Sequence, residues 1–257
     1  MRSAADFDAY STELAARAAA TPGVDGLVLL GSTSEVGRAR RDEWSDHDFF
    51  AVLAPDAAAD LRERLPFLPR RDRIVLIARE GPIGCNVLYD DGHVFEFGAG
   101  TLDEIGAVRI DRHEIVHDRG PMRRFAEEAV ERGLRADDGT AADAAGRALV
   151  KLLIGFGRAR RGEVLSGGAF VRAYAVQHLA LAVRLRQDPT ATAGEPDPLR
   201  RFERDHPSVA AAIADAVALP VEAAALQLLA LTRETLEPGW ADFPSAAADV
   251  VDAALRN

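Results

Sequence analysis

The stretch that decides the fold reads VDGLVLLGS over residues 24–32, then a polar loop, then SDHDFFAVL over residues 45–53. Residues 24–30 form a short apolar run closed by Gly31-Ser32, which reads as a buried strand running into a turn. Residues 33–45 are polar and Arg-rich, a loop. Residues 46–53 make a second strand that opens on Asp46-His47-Asp48. Side chains at i and i+2 of a strand share a face. Asp46 and Asp48 therefore project together, and His47 points to the opposite face. Their Cα atoms are expected about 6.6 Å apart from the strand rise. Two such charges repel by about 2.5 kcal/mol at an effective dielectric of about 20. A divalent cation is the natural compensation, since hard Mg²⁺ prefers carboxylate oxygens together with substrate phosphates.

A third carboxylate comes from the next informative stretch, NVLYDDGHVFEFG over residues 86–98. Two apolar runs flank Asp91-Gly92, the strongest short-range hairpin signal. Glu96 lies between Phe95 and Phe97 within the second run, on the face it shares with Val94. A charge inside such a strand faces water or a site, or else costs several kcal/mol of desolvation. Taken singly, Asp-x-Asp at a strand start reads more readily as a turn or cap, Gly-Ser as an ordinary turn, and a strand Glu as a solvent-facing residue. The combination of all three is far more specific than any part.

Outward from this centre, residues 4–20 are an amphipathic helix with Phe7, Tyr10, Leu14 and Ala18 on one side, broken by Thr21-Pro22-Gly23. A helix over 56–65, a strand over 73–78 and a short strand over 114–117 follow. A helix then starts at residues 118–121, with Pro121 suited to its first turn, and runs to about 132. The ADDGT stretch at 136–140 reads as a linker. Beyond it only helix patterns appear, over 141–160, 168–187, 207–218, 220–236 and 245–255, with Gly or Pro in the breaks. The expected fold class is α+β. Residues 1–135 would form a domain with a mixed β-sheet flanked by helices, and residues 136–257 an all-α helical bundle.

Composition narrows the partners. The chain has 257 residues, 31 Lys+Arg against 41 Asp+Glu, and a formal charge of −10. A bulk electrostatic grip on nucleic acid is not expected, so a phosphate ligand needs a local site. No apolar run approaches the roughly 18 residues that span a bilayer, so no membrane association is expected. The N-terminal stretch has dispersed charges and lacks the apolar segment of a signal peptide, which makes a cytoplasmic location the default. Cys85 is the sole cysteine and reads as a buried filler. The histidines lack zinc-ligand spacing.

The pattern Gly31-Ser32, loop, Ser45-Asp46-His47-Asp48-Phe49-Phe50, then Val94-Phe95-Glu96-Phe97 resembles the polymerase-β-type nucleotidyltransferase superfamily, over about residues 24–120. The helical half, with RRFERDHPSVAAAI at residues 200–213, resembles more weakly the antibiotic nucleotidyltransferases that act on aminoglycosides and lincosamides. What the resemblance implies is an enzyme that transfers a nucleoside monophosphate, usually AMP from ATP, to a hydroxyl of a small molecule, in antibiotic resistance among other settings. Asp46 and Asp48 would match the metal-binding pair, holding one or two Mg²⁺ ions. Glu96 would match the third carboxylate, as metal ligand, as proton acceptor or as both. Gly31 and Ser32 would match the turn that holds the β- and γ-phosphates through backbone N–H and hydroxyl. The 13 residues between Ser32 and Asp46 are a few more than the pattern leads one to expect, and His47 replaces a more usual apolar residue.

Lys151, the one lysine, precedes the apolar Leu152, Leu153 and Ile154. It reads as a snorkelling surface side chain or, more sharply, as a phosphate-contacting cation, a reading that the resemblance raises slightly. Arg158 and Arg161 read as a solvated helix face. Glu163 reads as a helix-terminal surface residue or as part of an acceptor pocket. Trp44 either packs the sheet edge or stacks on a base or acceptor. Expected partners are a nucleoside triphosphate and a small hydroxylated acceptor; analogy alone extends to a homodimer completing the cleft. Acceptor, nucleobase and oligomeric state stay open. The alternative is an antitoxin-like or regulatory nucleotidyltransferase that binds or modifies a protein partner, against which the added helical half speaks.

Overall fold

Helix α1 (Ala4–Ala20) buries Phe7, Tyr10, Leu14 and Ala18 along one stripe, as their helical spacing demands. The chain reverses at Gly23, whose φ of +84° favours glycine, and enters strand β1 (Val24–Leu30). The protein is described by a computed structural model over residues 4–106, 108, 110, 112–120, 122–134, 139–188 and 197–256. Strand β2 (His47–Leu53) returns antiparallel to β1. Helix α2 (Ala58–Arg64) leads to β3 (Ile74–Glu80), β4 (Gly84–Tyr89) and β5 (Val94–Gly100). Helix α3 (Leu102–Ile105), strand β6 (His113–Asp118) and helix α4 (Met122–Leu134) complete the first unit.

The six strands are ordered β3-β4-β5-β2-β1-β6. All neighbours pair antiparallel except β2 and β5, which run parallel. The sheet is therefore mixed, and helices flank it. The β4–β5 connection is the expected hairpin around Asp91-Gly92, where Gly92 has φ +84°. Phe49, Ala51, Leu53, Phe95, Phe97 and Ala99 alternate onto one face and pack with α1 and α2 residues. Val28 and Val52 face the other side, against Ile105, Met122 and Phe125. A Cβ on Gly26 would lie 2.2 Å from the Met122 sulfur, so this glycine lets α4 seat directly on β1. The strand expected at 73–78 is present as β3, but it is a sheet edge, and Val75, Leu76 and Ile77 are exposed.

The chain divides into two compact units, Met1–Arg135 and Ala136–Asn257. Pro121 and residues 136–138 of the expected linker lie outside the described residues. The second unit is helical: α5 (Ala141–Arg160), α6 (Val164–Ala169), α7 (Val176–Gln187), α8 (Phe202–Asp205), α9 (Pro207–Val217), α10 (Val221–Leu236) and α11 (Ser245–Arg256). Thr140 caps α5 in a reciprocal box with Asp143. The helix expected over 168–187 begins earlier, at Val164, and passes through a π-helical turn, Phe170–Ala175, before α7. There α5 and α6 meet backbone to backbone; a Cβ on Gly167 would fall 2.7 Å from the Gly155 carbonyl oxygen. None of the described helices is long and apolar enough to cross a membrane.

Candidate functional site

Parallel pairing of β2 with β5 places Asp48 directly opposite Glu96. Asp46 precedes β2 by one residue and shares the face of Asp48. One carboxylate oxygen from each of Asp46, Asp48 and Glu96 lies within 4.8 Å of the others. Among the described residues this is the one group of three or more His, Cys, Asp or Glu side chains arranged so that they could share an ion. Asp46 and Asp48 are half-buried and Glu96 is exposed, so the cluster opens to solvent. No cation or hydrogen-bond donor among the described residues pairs with the carboxylate of Asp46 or Glu96.

The register that aims these groups is fixed from behind. His47 is fully buried on the α1 face. It stacks on Phe7 at 3.7 Å and on Phe95 at 4.5 Å between ring centroids, and its Nε2 lies 3.1 Å from the Ser11 hydroxyl. A one-residue slip of β2 would drag this ring into solvent and turn both aspartates inward. The expectation for His47 is met, and the departure from an apolar residue is filled by an aromatic stack.

The turn after β1 runs alongside. Gly31 has φ +52°, and a Cβ there would sit 3.7 Å from the Asp48 Oδ2, so the turn backbone borders the carboxylate. The Gly31 amide donates to the Arg112 carbonyl at 2.9 Å, so Gly31 supplies the bend rather than a free donor. Ser32 is different: neither its amide nor its hydroxyl bonds to any described residue, and only its carbonyl is engaged, by Arg41 Nε at 3.1 Å. The long loop is not structureless. It contains a 3₁₀ turn over Glu35–Arg40, capped by the Ser34 hydroxyl. A Cβ on Gly37 would fall 1.7 Å from the Gly31 carbonyl oxygen, so the 3₁₀ turn is pressed onto the Gly31-Ser32 bend. This packing accommodates the extra loop residues.

Sequence reasoning missed four residues of this surround. Thr33 accepts the Asp48 amide at 2.9 Å and donates to the Asp46 carbonyl at 3.3 Å. Arg41 forks onto the Ser32 and Thr33 carbonyls and pairs with Asp8 of α1 at 2.5 Å. Asp8 also takes Arg38 at 2.7 Å. No local pattern marks these residues; a single arginine in an Arg-rich loop carries no signal for its distant partner.

Other sequence candidates fall elsewhere. Trp44 is 78% exposed, held on a turn whose Asp42 side chain accepts the Trp44 amide, so it does not pack the sheet edge. Cys85 is buried, and burial pushes its thiol pKa up against the lowering effect of Arg79. Within the helical unit, Lys151 lies over the Phe170 ring at 5.2 Å and has no carboxylate partner among the described residues. Arg158 covers the same ring at 4.2 Å and bonds to Ser166. Arg161 pairs with Glu163, which stands at the start of α6. Burial, with Arg147 and Lys151 nearby, lowers the His178 pKa.

No family model matches the chain, and no curated protein matches it. Among solved structures it is similar to a nucleotidyltransferase-like protein from Exiguobacterium sibiricum 255-15, at 12% identity and a TM-score of 0.37, covering 88% of this chain and 74% of that one. It is also similar to an aminoglycoside 6-adenyltransferase from Bacillus subtilis, at 9% identity and a TM-score of 0.35, covering 100% of this chain and 92% of that one. Similarity this loose assigns no activity, and the functional reading stands on the site.

Proposed function

We propose that this chain is a metal-dependent nucleotidyltransferase that moves a nucleoside monophosphate, AMP from ATP, to a hydroxyl of a small molecule. Aminoglycosides and lincosamides are the acceptors to test first. The observation that carries the reading is the convergence of Asp46, Asp48 and Glu96, from two adjacent parallel strands, beside the Gly31-Ser32 turn. The donor set fits Mg²⁺: three hard oxygen ligands, close enough to share an ion, on a solvent-open face. Asp46, Asp48 and Glu96 would hold it. When bound, it supplies neutralisation of charge at the transferring phosphoryl group.

The chain's own groups do the rest. The uncommitted Ser32 amide and hydroxyl are donors for phosphate oxygens next to the carboxylates. The absence of a Cβ at Gly31 leaves the bend open beside Asp48. Glu96, the exposed member, accepts the proton of the attacking hydroxyl. The acceptor oxygen bonds to the α-phosphorus, the bond from that phosphorus to the bridging oxygen breaks, and pyrophosphate leaves. Lys151 is proposed as a further phosphate-contacting cation; in support, it has no carboxylate partner among the described residues of an acidic chain. The helical unit is proposed to bind the acceptor, and an ATP-using enzyme of this kind works in the cytoplasm.

Calorimetric titration of ATP with and without Mg²⁺ tests the reading. Wild type is expected to bind ATP only with Mg²⁺ and Asp48→Asn to lose that dependence. Equal metal-dependent binding by both proteins would overturn it. Transfer of labelled nucleotide across aminoglycosides and lincosamides then identifies the acceptor.

A further inference from the structure

We infer that Thr33 is a positioning residue for the Asp46 and Asp48 carboxylates, acting through the backbone of both. The inference rests on the metal-binding reading above and deepens it. The β1–β2 ladder ends at the Leu29–Phe49 pair, one residue short of Asp48. Beyond that point the backbone groups of the Asp-x-Asp segment need other partners, since an unpaired, partly buried N–H or C=O costs free energy. One hydroxyl supplies both. Thr33 Oγ1 accepts the Asp48 N–H at 2.9 Å and donates to the Asp46 carbonyl at 3.3 Å. It thus spans the i and i+2 positions from which the two carboxylates hang, and replaces the missing rung of the sheet.

Thr33 is itself over-determined. It is 2% exposed, and its amide donates to the Leu30 carbonyl at 2.9 Å. Its carbonyl accepts Arg41 at 3.2 Å, and Arg41 is anchored to Asp8 and lies over the Phe7 ring at 4.2 Å. The β-branched side chain restricts χ1, so the hydroxyl is held in place rather than merely within reach. Three carboxylates that repel one another have every reason to splay at a fraying strand end. A fixed backbone keeps their oxygens at ion-sharing distance before any ion arrives, which is how outer-shell partners raise metal affinity.

The test is Mn²⁺ binding to the full chain, without nucleotide, followed by the loss of the free-ion electron paramagnetic resonance signal. Wild type, Thr33→Val and Thr33→Ser are compared, with thermal denaturation as the check on folding. Thr33→Val keeps shape and branching but loses the hydroxyl, and is expected to bind at least about tenfold more weakly, within the range for outer-shell ligands. Thr33→Ser restores the hydroxyl and is expected within about threefold of wild type. A purely structural role would lower the melting temperature of Thr33→Val and leave the affinity of its folded form unchanged; that result overturns the inference. So does a Thr33→Ser protein as weak as Thr33→Val. If Thr33→Val does not fold, Arg41→Lys decides. It retains a cation for Asp8 and loses the fork onto Ser32 and Thr33, so a several-fold loss of affinity supports positioning and unchanged affinity overturns it. Wild-type protein that takes up no Mn²⁺ sinks the metal reading itself, an outcome distinct from equal binding by wild type and Thr33→Val.

Discussion

Replacing Asp46 by Asn should change the stability of the protein in opposite directions with and without divalent metal. The oxygens of Asp46, Asp48 and Glu96 lie within 4.8 Å of one another, so each pair repels by at least about 0.9 kcal/mol in bulk water and about 3.5 kcal/mol at an effective dielectric of about 20. Asp46 belongs to two of these pairs. Glu96 is exposed, which brings its share near the water limit, and Asp48 is half-buried, which raises the other share above it. Asp46→Asn keeps the shape and the backbone carbonyl that Thr33 holds. It should therefore stabilise the metal-free protein by about 2 kcal/mol, or roughly 5 °C in melting temperature for a domain of this size. In Mg²⁺ at about a hundred times its dissociation constant, wild type gains about 2.7 kcal/mol that the variant does not. The order of stability should then invert. Thermal denaturation in chelator and in Mg²⁺ reads both states. A variant less stable than wild type in chelator, or equal Mg²⁺ stabilisation of both proteins, would refute the reasoning.

Three other outcomes follow from the surround. Gly37→Ala puts a methyl 1.7 Å from a backbone oxygen, which must move; a loss of about 3 kcal/mol is expected in urea denaturation. Asp91 is pushed up by burial, but donors from the His93 amide, the Tyr10 hydroxyl and the His93 ring outweigh this and hold its pKa below the ordinary value. Its contribution is present above about pH 4 and disappears as pH falls through the depressed value, so Asp91→Asn should cost about 1–2 kcal/mol at neutral pH and nothing in strong acid, as measured by denaturation across pH. Cys85 is buried with a raised pKa, so a thiol reagent should label it at least about a hundredfold faster in denaturant than in the native state.

The parts of this fold legible in the sequence are those set by local period and punctuation. The α1 stripe, the β1 and β2 runs and the Asp91-Gly92 hairpin each carry their own signal within a dozen residues. The helix Leu102–Ile105 is too short for periodicity, and is held instead by the Thr101–Glu104 capping box, a local signature that was open to reading. The π turn in Phe170–Ala175 leaves no compositional mark. Pairing across the sheet is also silent: nothing in SDHDFF or VFEFG states that β5 lies beside β2 and parallel to it. Residue types and facing predict Asp46, Asp48 and Glu96 as a set, while the adjacency that brings them together is a tertiary fact. Thr33 and Arg41 were invisible for the same reason, since their partners are backbone groups and a residue of α1.

That adjacency is bought by the residues interleaved with the charges. Asp46 and Asp48 alternate with His47 and Phe49, and Glu96 stands between Phe95 and Phe97. His47, Phe49, Phe95 and Phe97 all face the α1 side and are buried. Phe49 stacks on Phe97 at 4.5 Å, and His47 on Phe95 at 4.5 Å, across the same two strands whose other face carries the carboxylates. Full burial of one such aromatic contributes about 1.5–3 kcal/mol, so three phenylalanines outweigh a repulsion of a few kcal/mol among three partly solvated carboxylates. The hydrophobic face thus sets the register and the electrostatic strain appears on the open face, where an ion can relieve it. A slip that spread the charges would expose both stacks at once. The aromatic and acidic residues of β2 and β5 are therefore two halves of one device, in which core packing holds a site that electrostatics alone would disperse.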